Sequence, residues 1–203
     1  MTTPTLLGTR VRLRAVSPND AQARQEWGWH HDIERNYGHE CATRPMTPDE
    51  ARAWFDDIQH QNSSTFWVIE APDGMAGVAF LHSLSEPDRK ARYAIGMFDP
   101  RFLGRGLGTE ATQLVLQHAF GELGLHRVDL RVLAFNTSAI ASYKRVGFVE
   151  EGRERDSCRL EGQWHDDVIM GVLEPEFRAA FTPPTERLSG STDEPLEAKG
   201  PRQ

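Results

Sequence analysis

Pro100-Arg101-Phe102-Leu103-Gly104-Arg105-Gly106-Leu107-Gly108-Thr109-Glu110-Ala111 is the stretch on which the fold turns. Three glycines alternate just ahead of an amphipathic run whose apolar stripe is Ala111, Leu114, Val115 and Ala119. The spacing predicts a helix from Leu107 to about Leu123, ended by Gly124. Glycine has no Cβ, so the backbone can turn tightly and bring several N–H groups near one ligand. Those groups are the unpaired donors of a helix start, with the positive end of the dipole behind them. A pyrophosphate suits that environment, although a glycine triplet alone also reads as a plain tight turn. The pattern is G-x-G-x-G, not the G-x-G-x-x-G of dinucleotide folds, and no Gly-Lys-Ser/Thr follows to hold a Mg-nucleotide.

Upstream, Ala91 to Phe98 reads as a strand stopped by Asp99-Pro100, and Thr65 to Glu70 and Met75 to Ser83 form a hairpin over Pro72-Asp73-Gly74. Thr9 to Ala15 alternates, with Val11, Leu13 and Ala15 on one face and Arg10, Arg12 and Arg14 on the other. Ser17-Pro18-Asn19-Asp20 starts a helix to about Trp27, with Ser17 as the cap. Thr47-Pro48-Asp49-Glu50 starts a second, to about Gln61, with Glu50 completing a capping box. Residues 28 to 46 between them show no clean period. Downstream, Arg127 to Leu133 alternates as a strand and Asn136 to Val146 is a short helix stopped at Gly147. Phe148 to Arg159 and Gln163 to Leu173 make a last hairpin over Leu160-Glu161-Gly162. The order β-α-α-β-β-β-α-β-α-β-β predicts an α/β (α+β) fold, with helices on the faces of a mixed sheet.

The chain has 203 residues, enough for one domain with a tail, and its hydrophobic fraction of 38% is lowered by a polar C-terminal stretch rather than by a poor core. The expected domain is 1–178, and 179–203 has too few apolar groups to offset ordering entropy and is expected to be a disordered tail. A net charge of -7 argues against nucleic acid as the partner and is compatible with a cationic one. No apolar run is long enough to cross a membrane, Met1-Thr2-Thr3-Pro4 does not resemble a secretory leader, and Cys41 and Cys158 are far apart. A cytoplasmic chain with reduced thiols follows as the expectation. His30, His31, His39 and Cys41 match no standard metal spacing, so no metal is expected.

Ala91 to Leu173 resembles the GCN5-related N-acetyltransferase (GNAT) family, most closely the branch of ribosomal-protein alanine N-acetyltransferases and spermidine acetyltransferases. The resemblance rests on Asp99-Pro100-x-x-x-Gly104-Arg105-Gly106-x-Gly108-Thr109-Glu110-Ala111 and Gly124-Leu125-His126-Arg127-Val128. It continues in Asn136-x-x-x-Ile140-x-x-Tyr143-x-x-x-Gly147-Phe148 and Gly162-x-Trp164-x-Asp166. It covers about 80 residues strongly and the first 90 loosely. It implies a mostly antiparallel sheet of about seven strands flanked by four helices and acetyl-CoA as co-substrate; members of the family often pair into homodimers, which does not fix the assembly of this chain. Leu103 departs from the wider family, which often has Gln or Arg there.

The activity implied is direct transfer of an acetyl group to a primary amine: a protein N-terminus, a polyamine or an amino-bearing small molecule. Transfer of a larger acyl group such as succinyl, or a non-catalytic acyl-CoA-binding module, are the alternatives. The resemblance assigns Leu103, Gly104, Arg105, Gly106, Leu107, Gly108 and Thr109 to the pyrophosphate, with Arg105 the nearest cation or else a solvated side chain. Met97 and Phe98 are expected to offer backbone groups to the pantetheine amides, as an added strand would. Asn136 either contacts the pantetheine arm or only caps its helix. Tyr143 matches the family tyrosine that donates a proton to the leaving sulfur; a phenol titrating near 10 can hold that proton, and the alternative is a packed core ring. Glu40, His39, Glu34 and His82 are candidate bases or acceptor contacts, water being the other route, and Glu40 is the chosen base. Asp166 is structural or reaches the acceptor.

Overall fold

Alternating strands and amphipathic helices assemble as the periodicity predicts, in a computed structural model that describes residues 3–28, 30–38, 46–60 and 65–181. Two short strands, β1 (Leu6–Leu7) and β2 (Arg12–Arg14), precede three helices, α1 (Asn19–Glu26), α2 (His31–Asn36) and α3 (Pro48–His60). β3 (Thr65–Ala71), β4 (Gly74–Ser85) and β5 (Lys90–Met97) form a meander. A 3-10 turn, Pro100–Phe102, leads through the glycines into α4 (Leu107–Gly121). β6 (Arg127–Leu133), α5 (Thr137–Arg145), β7 (Val149–Leu160), β8 (Gln163–Leu173) and α6 (Glu174–Phe181) follow.

The eight strands make one sheet in the order β1-β2-β3-β4-β5-β6-β8-β7. Every neighbouring pair is antiparallel except β5 and β6. These two run parallel with only Lys90, Ala91 and Arg92 paired to Arg127, Val128 and Asp129. β5 continues to Met97 and β6 to Leu133 without pairing to each other, so the sheet opens between them.

The larger core cluster joins the sheet to α4 and α5, with Leu13, Trp67, Val115, Leu116, Val128 and Val168 all fully buried. A smaller cluster of Trp27, Val68, Met75 and Val78 packs with Val16, Ala23 and Trp54 from the first helical region. Trp27 Nε1 donates to the Met75 carbonyl at 2.9 Å, satisfying its only donor in an apolar setting. The two clusters use alternate residues of β3, Trp67 and Ile69 in one and Val68 in the other, as a strand buried on both faces requires.

Three elements were not expected. β1 is too short to show a period, and α6 falls where the chain turns polar. α6 nevertheless packs Phe177 against Phe120 at 5.4 Å and against Phe181 at 4.8 Å, so ordered packing passes the expected boundary at 178. α2 lies in the segment without period; Ile33 and Glu34 are its buried residues. The N-terminal strand shrinks to β2: Val11 and Leu13 are buried as expected, whereas Ala15 is exposed. Ser17 does not cap α1 with its hydroxyl. Its N–H and hydroxyl instead donate to the Asp20 carboxylate at 2.6 and 3.2 Å, and Arg14 closes on the same carboxylate at 2.8 and 2.9 Å. The capping box at Thr47 and Glu50 forms, with Thr47 N–H donating to Glu50 at 2.7 Å and Glu50 N–H to Thr47 at 3.3 Å.

Candidate active site

Gly104 and Gly106 have φ of 70° and 75°, left-handed values that favour glycine, and they reverse the chain at the start of α4. The first helical bond runs from Glu110 N–H to the Gly106 carbonyl at 3.1 Å. The N–H groups of Leu107, Gly108 and Thr109 come before it and are available to an anion. A brace from β2's approach holds this loop from behind. Arg10 Nη1 donates to the Arg105 carbonyl at 2.8 Å and Nη2 to the Gly106 carbonyl at 3.3 Å. Its Nε donates to Glu110 at 2.7 Å, and the other Glu110 oxygen accepts the Thr9 and Arg10 N–H groups at 2.5 and 2.9 Å. Burial would raise the Glu110 pKa, but these donors outweigh it and hold the carboxyl below its ordinary range. The loop carbonyls are thereby pinned on one side, leaving the N–H side for a ligand.

On that side lies a cavity of about 480 Å³. The glycine loop, α4, α5, the end of β5 and α2 line it, including Met97, Leu103, Gly104, Gly106, Leu107, Gly108 and Thr109. Thr109 and Ser142 hydroxyls meet at 2.7 Å and tie α4 to α5 across it. A second cavity of about 270 Å³ fills the opening between β5 and β6 and is lined by Tyr93, Arg131, Leu133, Cys158 and Asp167 among others. The two share Asn36, Tyr37, Ile95, Asn136 and Tyr143. Tyr143 is 8% exposed, and its ring meets Phe148 edge-on at 5.8 Å. Burial, and secondarily the neighbouring Tyr37, push its pKa well above 10, so the phenol keeps its proton. Tyr37 is pushed up to about 12, mainly by burial.

The structure brings together most of the expected cofactor residues and separates others. Arg105 turns away from the cavity: its Nη1 lies 3.2 Å from Asp73 and 3.4 Å from the Arg101 carbonyl. The cation that lines the cavity is Arg145, in the last turn of α5. Phe98 lines neither cavity; its ring folds back over Gly96, stacks on Trp27 and meets Tyr37 at a tilt, each at 5.1 Å. Asn136 caps α5, accepting from Ala139 N–H at 3.2 Å, and lines both cavities as well.

Of the acceptor candidates, His39 and Glu40 lie outside the described residues. Glu34 is 4% exposed, beside Arg24, and His82 bonds Ser83 at 3.0 Å; neither lines the two cavities. Burial, then the Arg92 charge, lowers the His82 pKa. Asp166 accepts the Asp156 N–H at 3.1 Å within the β7–β8 hairpin, and its neighbour Asp167 is the one facing the second cavity. Sequence reasoning missed Tyr37, Arg145, Asp167 and the Arg10–Glu110 brace. Tyr37 sits in the segment without period, and Arg10 and Glu110 are 100 residues apart, so no local pattern marks them. Among the described residues no three His, Cys, Asp or Glu side chains gather to hold a metal, and no helix is long and apolar enough to cross a membrane.

A sheet opened between two parallel strands, with a glycine-turned helix start beside the opening, brings a free strand edge and helix-start donors to one place. Residues 10–149 match the family described as acetyltransferase (GNAT) domain. The chain belongs to this family and is an N-acetyltransferase. It is 28% identical to the spermidine N(1)-acetyltransferase of Escherichia coli (strain K12) over 134 residues, which is 66% of this chain and 72% of that protein. It is 24% identical over 124 residues to the alanine N-acetyltransferase of ribosomal protein uS5 from the same organism, covering 60% of this chain and 64% of that one. Its fold matches the spermidine N-acetyltransferase of Vibrio cholerae, solved in complex with CoA and spermine, with a TM-score of 0.72 at 23% identity, over 84% of this chain and 99% of that one.

Proposed function

We propose that the chain acetylates a cationic primary amine, with the glycine loop seating acetyl-CoA and Tyr143 protonating the departing sulfur. The observation that carries this reading is that the loop-lined cavity and the inter-strand cavity share Tyr143. The loop fits the diphosphate: Gly104 has open space where a Cβ would stand, and Arg10 keeps the carbonyls of 105 and 106 turned from the donors. Leu107, Gly108 and Thr109 N–H groups and Arg145 would hold the phosphates, and Met97 and Ile95 would face the pantetheine arm. When bound, acetyl-CoA supplies an activated acetyl group.

Asp167 supports a cationic acceptor, because it puts a carboxylate at the second cavity while Arg131, its neighbour there, is paired to Glu154. The E. coli and V. cholerae spermidine acetyltransferases favour a polyamine among such acceptors. The E. coli enzyme acting on ribosomal protein uS5 keeps a protein N-terminus as the second reading. The chain acts in the cytoplasm as a homodimer in this proposal, and sedimentation checks the assembly.

The test is calorimetry with acetyl-CoA, followed by turnover with spermidine, short diamines and alanine-initiated peptides. Acetyl-CoA binding with turnover of polyamines supports the reading. Turnover of peptides alone replaces the acceptor, and absence of acetyl-CoA binding removes the proposal.

A further inference from the structure

The hydroxyl of Tyr37 accepts the Met97 N–H at 2.7 Å. Met97 closes β5 at the opening of the sheet, where β6 no longer pairs with it. Backbone N–H groups of that free edge are the donors an acyl thioester would otherwise meet. At Met97 the donor is already taken, and Tyr37 stands in front of it. The phenol oxygen has one proton of its own to donate. Among the described residues its acceptor is the Met97 carbonyl at 3.4 Å, beyond good hydrogen-bond range. Accepting a bond from Met97 also polarises the O–H and strengthens it as a donor.

Tyr37 is fixed in this place. Its ring packs on Phe98 at 5.1 Å, and Phe98 stacks in turn on Trp27 at 5.1 Å. Tyr37 lines both cavities, as Tyr143 does, and each of the two phenols carries a burial-raised pKa that keeps it protonated. Acyl transfer asks for two donors at that junction, one for the sulfur and one for the thioester oxygen.

We infer that Tyr37 is a second catalytic residue: its hydroxyl, backed by the Met97 N–H, donates to the thioester oxygen as negative charge builds there. The inference rests on the acetyl-CoA reading above. In the step, the amine nitrogen forms the N–C bond and the C–S pair leaves on sulfur. Sulfur takes the Tyr143 proton, and the proton lost from nitrogen returns to that phenolate directly or through water. Tyr37 keeps its own proton throughout and only lends a hydrogen bond.

Tyr37→Phe keeps the ring stack and removes the donor. Melting is followed first to confirm the fold, then CoA and acetyl-CoA binding by calorimetry, then steady-state rates. Loss of one net hydrogen bond predicts acetyl-CoA affinity down about fivefold, with CoA, which lacks the carbonyl, unchanged. Loss of an oxyanion donor predicts kcat down about 100-fold. Tighter CoA binding in the variant would overturn the inference and make Tyr37 a plug over the Met97 donor. An unchanged kcat would overturn it too. A wild-type chain that binds neither ligand removes the proposed function and the Tyr37 role together, whereas normal binding and rate in the variant remove the Tyr37 role alone.

Discussion

Replacing Arg10 with methionine asks how far the glycine loop depends on the brace behind it. The substitution keeps most of the aliphatic stem and removes three contacts: to the carbonyls of Arg105 and Gly106 at 2.8 and 3.3 Å and to Glu110 at 2.7 Å. The Arg10 side chain is 54% exposed, so its ion pair with Glu110 contributes only about 0–1 kcal/mol. The carbonyl contacts matter more, because a charged donor holding a neutral acceptor is worth about 1.5–3 kcal/mol, and the longer bond here adds little. About 2 kcal/mol of loop order is therefore lost. The Gly106 carbonyl shares its peptide unit with the Leu107 N–H, and the Gly108 and Thr109 donors follow on the same helix start, so in the proposed reading the loss appears in cofactor binding. At 1.4 kcal/mol per tenfold, acetyl-CoA and CoA should both bind about 30-fold more weakly. KM for acetyl-CoA should rise in parallel and kcat stay within about twofold, since the brace touches no reacting atom. Calorimetry and steady-state kinetics read both quantities. Binding within threefold of wild type, or a fall confined to kcat, would refute the idea that Arg10 organises the loop.

Tyr143→Phe should lower kcat by about 100-fold, the lower range for a lost acid catalyst, with acetyl-CoA affinity unchanged. Burial holds this phenol above 10, so the wild-type kcat/KM profile should show no fall near pH 10 from its ionisation. Arg145→Ala should weaken CoA about tenfold and flatten the salt dependence of binding, measured by titration at two ionic strengths. Asp20→Ala removes the acceptor of the Ser17 N–H and leaves Arg14 with Glu70 and the Ala15 carbonyl in a part-buried pocket, costing about 2–3 kcal/mol and lowering Tm by roughly 5–10 °C in a thermal melt. Burial would raise Asp20, but Arg14 and Ser17 together outweigh it and lower the pKa below 3.8, as Arg10 and Thr9 lower that of Glu110 below 4.5. Their stabilisation is complete above those unfolded values and lost as pH falls through the lower folded ones, so acid denaturation followed by circular dichroism should steepen below about pH 4.

Much of the fold is legible wherever a period survives burial. β6 and β8 lie at the expected residues, α4 starts at the expected Leu107, and α5 starts one residue after the expected Asn136, which caps it. Elements that tertiary contacts define were not legible. α2 has six residues and α6 turns on two aromatic contacts, neither giving a long apolar stripe. The loop half of the site could be read, because positive φ at Gly104 and Gly106 demands glycine and the helix start that follows supplies donors. The side-chain half could not. Arg10, Arg12 and Arg14 alternate as a solvent face should, yet Arg10 reaches across to the loop and Arg14 to Asp20. Asp166 and Asp167 are adjacent, and only the strand's pleat decides which one meets the opening.

The early parting of β5 from β6 has a bearing on how such a chain can diversify. Main-chain groups at the rim of that gap are present whatever residue stands there, so the rim itself tolerates exchange as long as Gly104, Gly106 and Arg10 keep the loop in place. Side chains on the far rim, such as Arg131, Cys158 and Asp167, line the inter-strand cavity and not the one beside the glycine loop. In the proposed reading, exchanges along that one edge would change the acceptor and leave the loop end of the aperture as it is.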